Sequence, residues 1–431
     1  MQLEEDNLYQ YAVKLCKNIG IDVEKEDTNL IFKILEDQLK LTNANNDKFA
    51  AKNKTEIIHF LQMAANKGHS NASFLFANLI VKGEISNSNN EDAFKYYKNA
   101  ADNGHVLAMH EYSMILSNRK GDQRCQEEAS RYMKMAADKG NIQSMIELSK
   151  KYSKGEGFPV NKEESSRYMK MAAESGSIEA MHDYAVMLFN GEGILVNKAE
   201  SCHYHKMAAD KGNIESMYYY GVMLFNGDGI EINKEEASKY IKNAAEKGNI
   251  DAMNNYSYML YTGEGVEMNK EEAVKYIKMA ADLGDVDNMF NYAALLYKGD
   301  GVNVNKKEAC EYFKKASEKG HVNAMFNYGL MLDGGEGVMI NHKEASKIFK
   351  YAADKGSVES MYCYAMMLHK GKGIPVNKKE ACKYLKMAAD KGYDKAMNDY
   401  WTILSNEDSR RKNVNKQETR RYKLIFSQMK N

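Results

Sequence analysis

Two histidines two positions apart, His203 and His205, are the nearest approach to a metal-ligand pair in this 431-residue chain. On a helix that spacing turns the rings about 200° apart, so one ion cannot reach both. His69, His105 and His321 each follow a glycine where other copies of the same phrase carry Asn, Ser or Asp, which marks them as solvated turn residues. The six cysteines show neither zinc spacing nor regular pairing, the pattern of a reduced compartment. Three of them, Cys202, Cys310 and Cys382, share a column with Ser166, Ser238, Val274 and Ser346, so that column simply accepts a small side chain. Gly-x-Gly recurs, but never extends to Gly-x-Gly-x-x-Gly and never ends in the Lys-Ser/Thr of a phosphate loop. His-Arg-Asp and Asp-Phe-Gly are both missing. Carboxylates fall at helix starts and on exposed faces. The expectation is a chain with no catalytic, cofactor or metal site, and not an enzyme.

Recognition chemistry is easier to find. Asn255, Asn291 and Asn327 occupy one position in three successive copies of a phrase, and other copies place Asp183, Tyr219 and Asp399 there. A row of carboxamides can bond the backbone of an extended peptide without choosing among its side chains. Neighbouring positions vary from copy to copy and carry aromatics: Tyr218, Phe290, Phe326 and Tyr362 in one, Tyr258 in the next, Phe225, Tyr261 and Tyr297 in a third. Such rings would supply pockets for a partner's side chains. A plainer account stands beside this one, in which asparagine is solvated surface and the rings pack between copies. The Met column from Met109 to Met397 reads as interior packing, with a promiscuous Met-lined groove as the sharper alternative.

The frame that positions these residues is a repeat. A glycine returns every 36 residues from Gly68 to Gly392, a period that signals a solenoid. Gly-x-Gly, from Gly155/Gly157 to Gly371/Gly373, adds a second stop per period and cuts each copy into two helices of about three turns. Asn197 with Glu200 reads as a capping-box start, repeated at Asn161, Asn233, Asn269, Asn305, Asn341 and Asn377. On the second helix, Ser216, Tyr220, Gly221 and Leu224 form one apolar stripe. Small residues at 208, 209, 216 and 221 admit close backbone approach, while Tyr and Leu fill the space between helices. Ten helix-pair units follow from Asn53 to position 414, the last two residues longer because its successor starts at Asn415–Glu418. Residues 415–431 read as a closing helix. Residues 1–52 break the register, with Phe32 where a glycine belongs, and read as divergent capping helices.

Lys+Arg and Asp+Glu both number 60, so no net basic surplus points to nucleic acid. A local basic patch stands near the C-terminal end, in SRRKNVNKQETRRYK. No window approaches the roughly 18 apolar residues of a membrane span. The opening MQLEEDNLYQYAVKL is acidic where a signal would be basic. These features predict an all-helical protein without membrane insertion, placed in the cytoplasm.

The stretches Glu147–Gly176 (ELSKKYSKGEGFPVNKEESSRYMKMAAESG) and Asn327–Gly356 (NYGLMLDGGEGVMINHKEASKIFKYAADKG) resemble the Sel-1-like repeat, a relative of the tetratricopeptide repeat. The likeness runs over about 53–414. Tyr often takes the family's Leu position and Leu its Tyr position, and SNRKGDQRCQEEA keeps only Gly121 of the Gly-x-Gly. The resemblance implies an all-α fold, a right-handed superhelical α-solenoid of stacked antiparallel helix pairs whose second helices line a concave groove, centred on about 217–333. It further implies a non-catalytic scaffold or adaptor binding proteins or extended peptides. Family members also serve as adaptors in ER-associated, ubiquitin-dependent degradation, but normally with a signal and an anchor. Some bacterial relatives are linked to β-lactam binding, an enzyme-class alternative that comes with cysteine-paired repeats unlike these.

Overall fold

In the computed structural model, residues 48–85, 89–119 and 123–408 are described, and the chain divides into two compact units, Met1–Asn213 and Ile214–Asn431. The first unit holds α1 (Lys48–Asn66), α2 (Ser70–Val81), α3 (Asn90–Asp102), α4 (Val106–Ser117), α5 (Gln123–Asp138), α6 (Ile142–Lys154), α7 (Lys162–Glu174), α8 (Ile178–Asn190) and α9 (Lys198–Asp210). The second holds α10 (Ile214–Asn226), α11 (Lys234–Glu246), α12 (Ile250–Thr262), α13 (Lys270–Asp282), α14 (Val286–Lys298), α15 (Lys306–Glu318), α16 (Val322–Gly334), α17 (His342–Asp354), α18 (Val358–Lys370), α19 (Lys378–Asp390) and α20 (Asp394–Asp408). Among the described residues there are twenty helices and no strand, an all-α solenoid of antiparallel pairs. The caps expected at 1–52 and 415–431 lie outside the described residues, except for 48–52. Those five belong to α1, which runs across the boundary expected at Asn53.

The first helices α3, α7, α9, α11, α13, α15, α17 and α19 each start on one asparagine. Asn197 Oδ1 accepts the Glu200 backbone N–H at 3.1 Å, and Asn233, Asn269, Asn305, Asn341 and Asn377 do the same. The reciprocal half of the capping box departs from expectation. The Asn197 backbone N–H is already committed to the Leu188 carbonyl, at 2.9 Å, closing the Gly-x-Gly loop. Glu200 therefore accepts from Asn197 Nδ2 instead, at 2.9 Å. Second helices start on the residue after the turn glycine: Asn141, Ser177, Asn249, Asp285 and Ser357 each cap one. His69, His105 and His321 do the same through Nδ1. These histidines are half-buried caps, not the solvated turn residues that the sequence suggests. Phe74 stacks on His105 at 4.3 Å and Phe290 on His321 at 4.6 Å. Burial pushes the His69 and His105 imidazoles below their ordinary value, which suits a neutral ring accepting an N–H.

Each second helix packs broadly on the first helix of the following pair within its unit. Between α14 and α15, Tyr292 and Tyr312 meet edge to face, with centroids 4.8 Å apart and planes at 87°. The same pair recurs at Tyr220/Tyr240, Tyr256/Tyr276 and Tyr364/Tyr384, and in the first unit at Tyr112/Tyr132 and Tyr184/Tyr204. Sequence patterning treats these tyrosines as apolar filler, but the tips of several are polar anchors. Tyr292 Oη donates to Glu308 Oε1 at 3.0 Å, Tyr384 Oη to Asp354 at 2.8 Å, and Tyr312 Oη to Asp282. In these three the ring is buried while its hydroxyl ties one helix to the next, whereas the buried Tyr184 hydroxyl has no hydrogen-bond partner among the described residues. The small columns behave as expected: a Cβ on Gly221 would meet Ile241, and one on Gly329 would meet the Phe349 ring, both at 2.6 Å. The Met column is interior, with Met109, Met253 and Met325 each 1% exposed.

His203 is exposed while His205, two residues on, is 2% exposed. Burial, reinforced by the His182 ring 5.4 Å away, pushes the His205 imidazole down to about 3. The folded state therefore refuses a proton that the unfolded chain takes up at about 6.5. His205 leaves stability intact above that value and removes about 1.4 kcal/mol per pH unit as pH falls below it. Other copies place Met133 and Met169 here. His205→Met is expected to flatten this part of the decline in melting temperature between pH 7 and 5. An unchanged slope would show that His205 titrates normally in the fold.

Candidate functional site

Residues four and seven apart share a helix face, so the second helices of the second unit present three parallel rows. The first row holds Glu215, Asp251, Asp287, Asn323 and Glu359, all exposed. The second holds Tyr219, Asn255, Asn291, Asn327 and Cys363; the third includes Tyr258 and Leu330. The asparagines are not a uniform ladder. Asn255 Nδ2 donates to Tyr218 Oη at 3.1 Å, and Asn327 Nδ2 to the Asn323 carbonyl of its own helix at 3.1 Å. Asn291 is exposed. Asp183 lies on α8 of the first unit, half-buried, where burial raises its carboxyl above the usual range.

The column Tyr218, Phe290, Phe326, Tyr362 is half-buried and reaches to neighbouring helices. Phe290 lies against Phe313 as well as His321, and Phe326 is 6.2 Å from Phe349. Tyr362 Oη donates to Asp399 Oδ2 at 3.0 Å; burial, then this carboxylate, pushes its phenol up to about 12. Burial likewise raises Tyr218. Tyr218 and Tyr362 thus bridge successive second helices, while Phe290 and Phe326 pack on the first helix that follows their own.

Phe225, Tyr261 and Tyr297 each lie under the lysine nine residues on. Lys234, Lys270 and Lys306 stand 4.7, 5.7 and 5.1 Å from the ring centroids, within cation–π range. The same lysines reach the turn carboxylate of the following pair: Glu264 at 2.6 Å, Asp300 at 3.0 Å and Glu336 at 2.8 Å. Tyr297 Oη also donates to Glu336, at 2.7 Å, which raises its phenol. At the next rung the charges change places, and Asp333 takes His342 at 3.0 Å and Lys372 at 2.8 Å. A second ladder joins Lys242 to Glu272 at 3.3 Å and Lys278 to Glu308 at 3.4 Å. An exposed pair contributes only about 0–1 kcal/mol, but a ladder of them sets register between pairs. Sequence reasoning missed these ladders, although a Lys/acid offset of thirty residues was there to be found.

The first row differs. Glu215 accepts from Asn249 Nδ2 at 3.1 Å, and Asp287, 86% exposed, faces His321 Nε2 at 3.5 Å. Among the described residues no Lys or Arg ion-pairs with Glu215, Asp251, Asp287 or Glu359. Beside them Tyr219 is 42% and Tyr258 56% exposed. Among the described residues no group of three or more His, Cys, Asp or Glu could hold a metal ion, and no helix is long and apolar enough to cross a membrane.

Comparison with known proteins agrees with this architecture. The chain is similar to a solved protective antigen of uropathogenic Escherichia coli strains that displays an SLR fold: 23% identity over 86% of this chain and 79% of that one, TM-score 0.63. It is similar also to a Sel1 repeat protein from Oxalobacter formigenes, with 23% identity over 72% of this chain and 90% of that one, TM-score 0.58. No curated protein sequence matches at a significant level. The Sel1 repeat model matches nine times, at residues 80–105, 106–141, 142–177, 178–213, 214–249, 250–285, 289–321, 322–357 and 358–393. In that register each repeat opens on a second helix and closes on the first helix packed against it, the pairing that the tyrosines bridge. By these repeats, which span most of its length, the chain belongs to the Sel1 repeat family.

Proposed function

We propose that this protein is a non-catalytic, cytoplasmic scaffold that holds a partner protein or an extended peptide along the second-helix face of its second unit. Sel1-repeat solenoids commonly serve as protein-interaction scaffolds. One observation carries the reading for this chain. Ladders and tyrosine bridges occupy the contacts between pairs, while Tyr219, Tyr258 and Asn291 stay exposed on one face at fixed spacing. A frame so ordered presents those side chains with little conformational entropy left to lose on binding.

The test compares affinity capture by the intact chain and by Tyr258→Ala/Asn291→Ala, followed by mass spectrometry. Both residues are exposed, so the melting temperature is expected to stay within a few degrees. Loss of a defined partner set is the expected result. An unchanged partner list would move the function off this face.

A further inference from the structure

The chain is neutral overall, but its charge is unevenly paired. In the second unit five carboxylates of first helices and turns, Glu264, Glu272, Asp300, Glu308 and Glu336, are each met by a lysine thirty residues earlier. The carboxylates of the second-helix row are not met in this way. Helices α10, α12, α14 and α18 each place one carboxylate in the row, and with α16 they hold only Lys298 and Lys370, both at the last position of their helix; the one other acid on these helices, Asp333, lies outside the row and is met by Lys372. Lysines such as Lys247 and Lys355 border the row in the turns but form no ion pair with it among the described residues. A first-turn carboxylate gains modestly from the helix dipole, which accounts for the acid of α10, α12, α14 and α18. It does not account for the absence of a basic counterpart on a face that also exposes Tyr219 and Tyr258.

From this we infer that the face takes a basic polypeptide segment, whose Lys or Arg side chains meet Glu215, Asp251 and Asp287 while its intervening residues lie on Tyr219 and Tyr258. The inference rests on the scaffold reading and names the chemistry of its partner. Successive second helices meet through side chains, Asn255 with Tyr218 among them, a separation of about 10 Å, and a polyproline-II segment advances about 3.1 Å per residue with three residues per turn. Cations at every third residue of such a segment therefore stand on one side of it at a spacing that matches the row.

The probe is a labelled, proline-rich peptide of about fifteen residues with lysine at every third position, titrated onto the full chain. A second peptide of identical composition gathers its lysines at one end. The spaced peptide should bind more tightly than the clustered one. Asp251→Asn/Asp287→Asn should weaken it about tenfold, and Glu264→Gln/Glu336→Gln, an equal charge change at lysine-paired carboxylates, less than twofold. Equal weakening by both variants, or equal binding of both peptides, would reduce the effect to general charge attraction and overturn the inference. So would binding that appears only after Arg410, Arg411, Arg420 and Arg421 are changed to Gln, since the chain's own basic segment after Asp408 would then be the occupant. Failure of the lysine peptide while Tyr258→Ala/Asn291→Ala still loses its captured partners would reject a basic partner and keep the scaffold reading.

Discussion

Gly337→Ala is expected to cost about 2–5 kcal/mol, the sum of a left-handed backbone term and an overpacking term. Gly337 sits at φ +71°, and a Cβ there would press into the backbone carbonyl of Lys306, at the start of α15 in the preceding pair. Neither group is the end of a flexible side chain, so relief requires the two pairs to separate. Gly356→Ala is the companion. Its φ is +103°, but no atom lies within 4 Å of the added Cβ, so only the backbone term of about 1–2 kcal/mol applies. Urea unfolding of the two variants separates them. Equal midpoint shifts would mean that the Gly-x-Gly loop does not press on the preceding pair as described.

Tyr292→Ala should cost about 3–5 kcal/mol, in the range of large-to-small substitutions of buried aromatics. The ring is 4% exposed and meets Tyr312 edge to face. Its removal leaves a void between α14 and α15 and takes a hydrogen bond from Glu308, which keeps Lys278 at 3.4 Å. Tyr292→Phe preserves the ring and should cost only about 1 kcal/mol. Because neighbour interfaces carry most of the stability of such an array, hydrogen exchange should show the loss concentrated around α13 to α16. A Phe variant as damaged as the Ala variant would put the stabilisation in the hydroxyl network instead of the ring.

Much of the fold was legible in the sequence, and the candidate face was legible only in part. The asparagine caps were readable because an Asn three residues before a Glu needs only local geometry. The reciprocal bond was misjudged because the Asn197 backbone N–H is taken by Leu188, across a loop whose closure is not written in the cap itself. His69, His105 and His321 were readable as turn residues, but their burial comes from neighbours such as Phe74 and Phe290 in the preceding helix pair. The tyrosine columns were visible as a stripe. Their carboxylate partners, thirty residues back or sixteen on, were not, because periodicity within one helix carries no information about what lies at its tip.

The sequence alone determined the 36-residue period, the two helices per period, their ends and the stripe each buries. Those properties depend on contiguous residues: helix caps, glycines at left-handed positions, and apolar side chains at i and i+4. Tertiary structure decided which of several identical residues are available. Asn255 is bonded to Tyr218, Asn327 to its own helix, and Asn291 is left exposed, though all three share one column. Glu264 is paired with a lysine, whereas the row from Glu215 to Glu359 meets none among the described residues. In each case the deciding group belongs to another helix, often thirty or more residues away, and only stacking of the pairs brings it within reach.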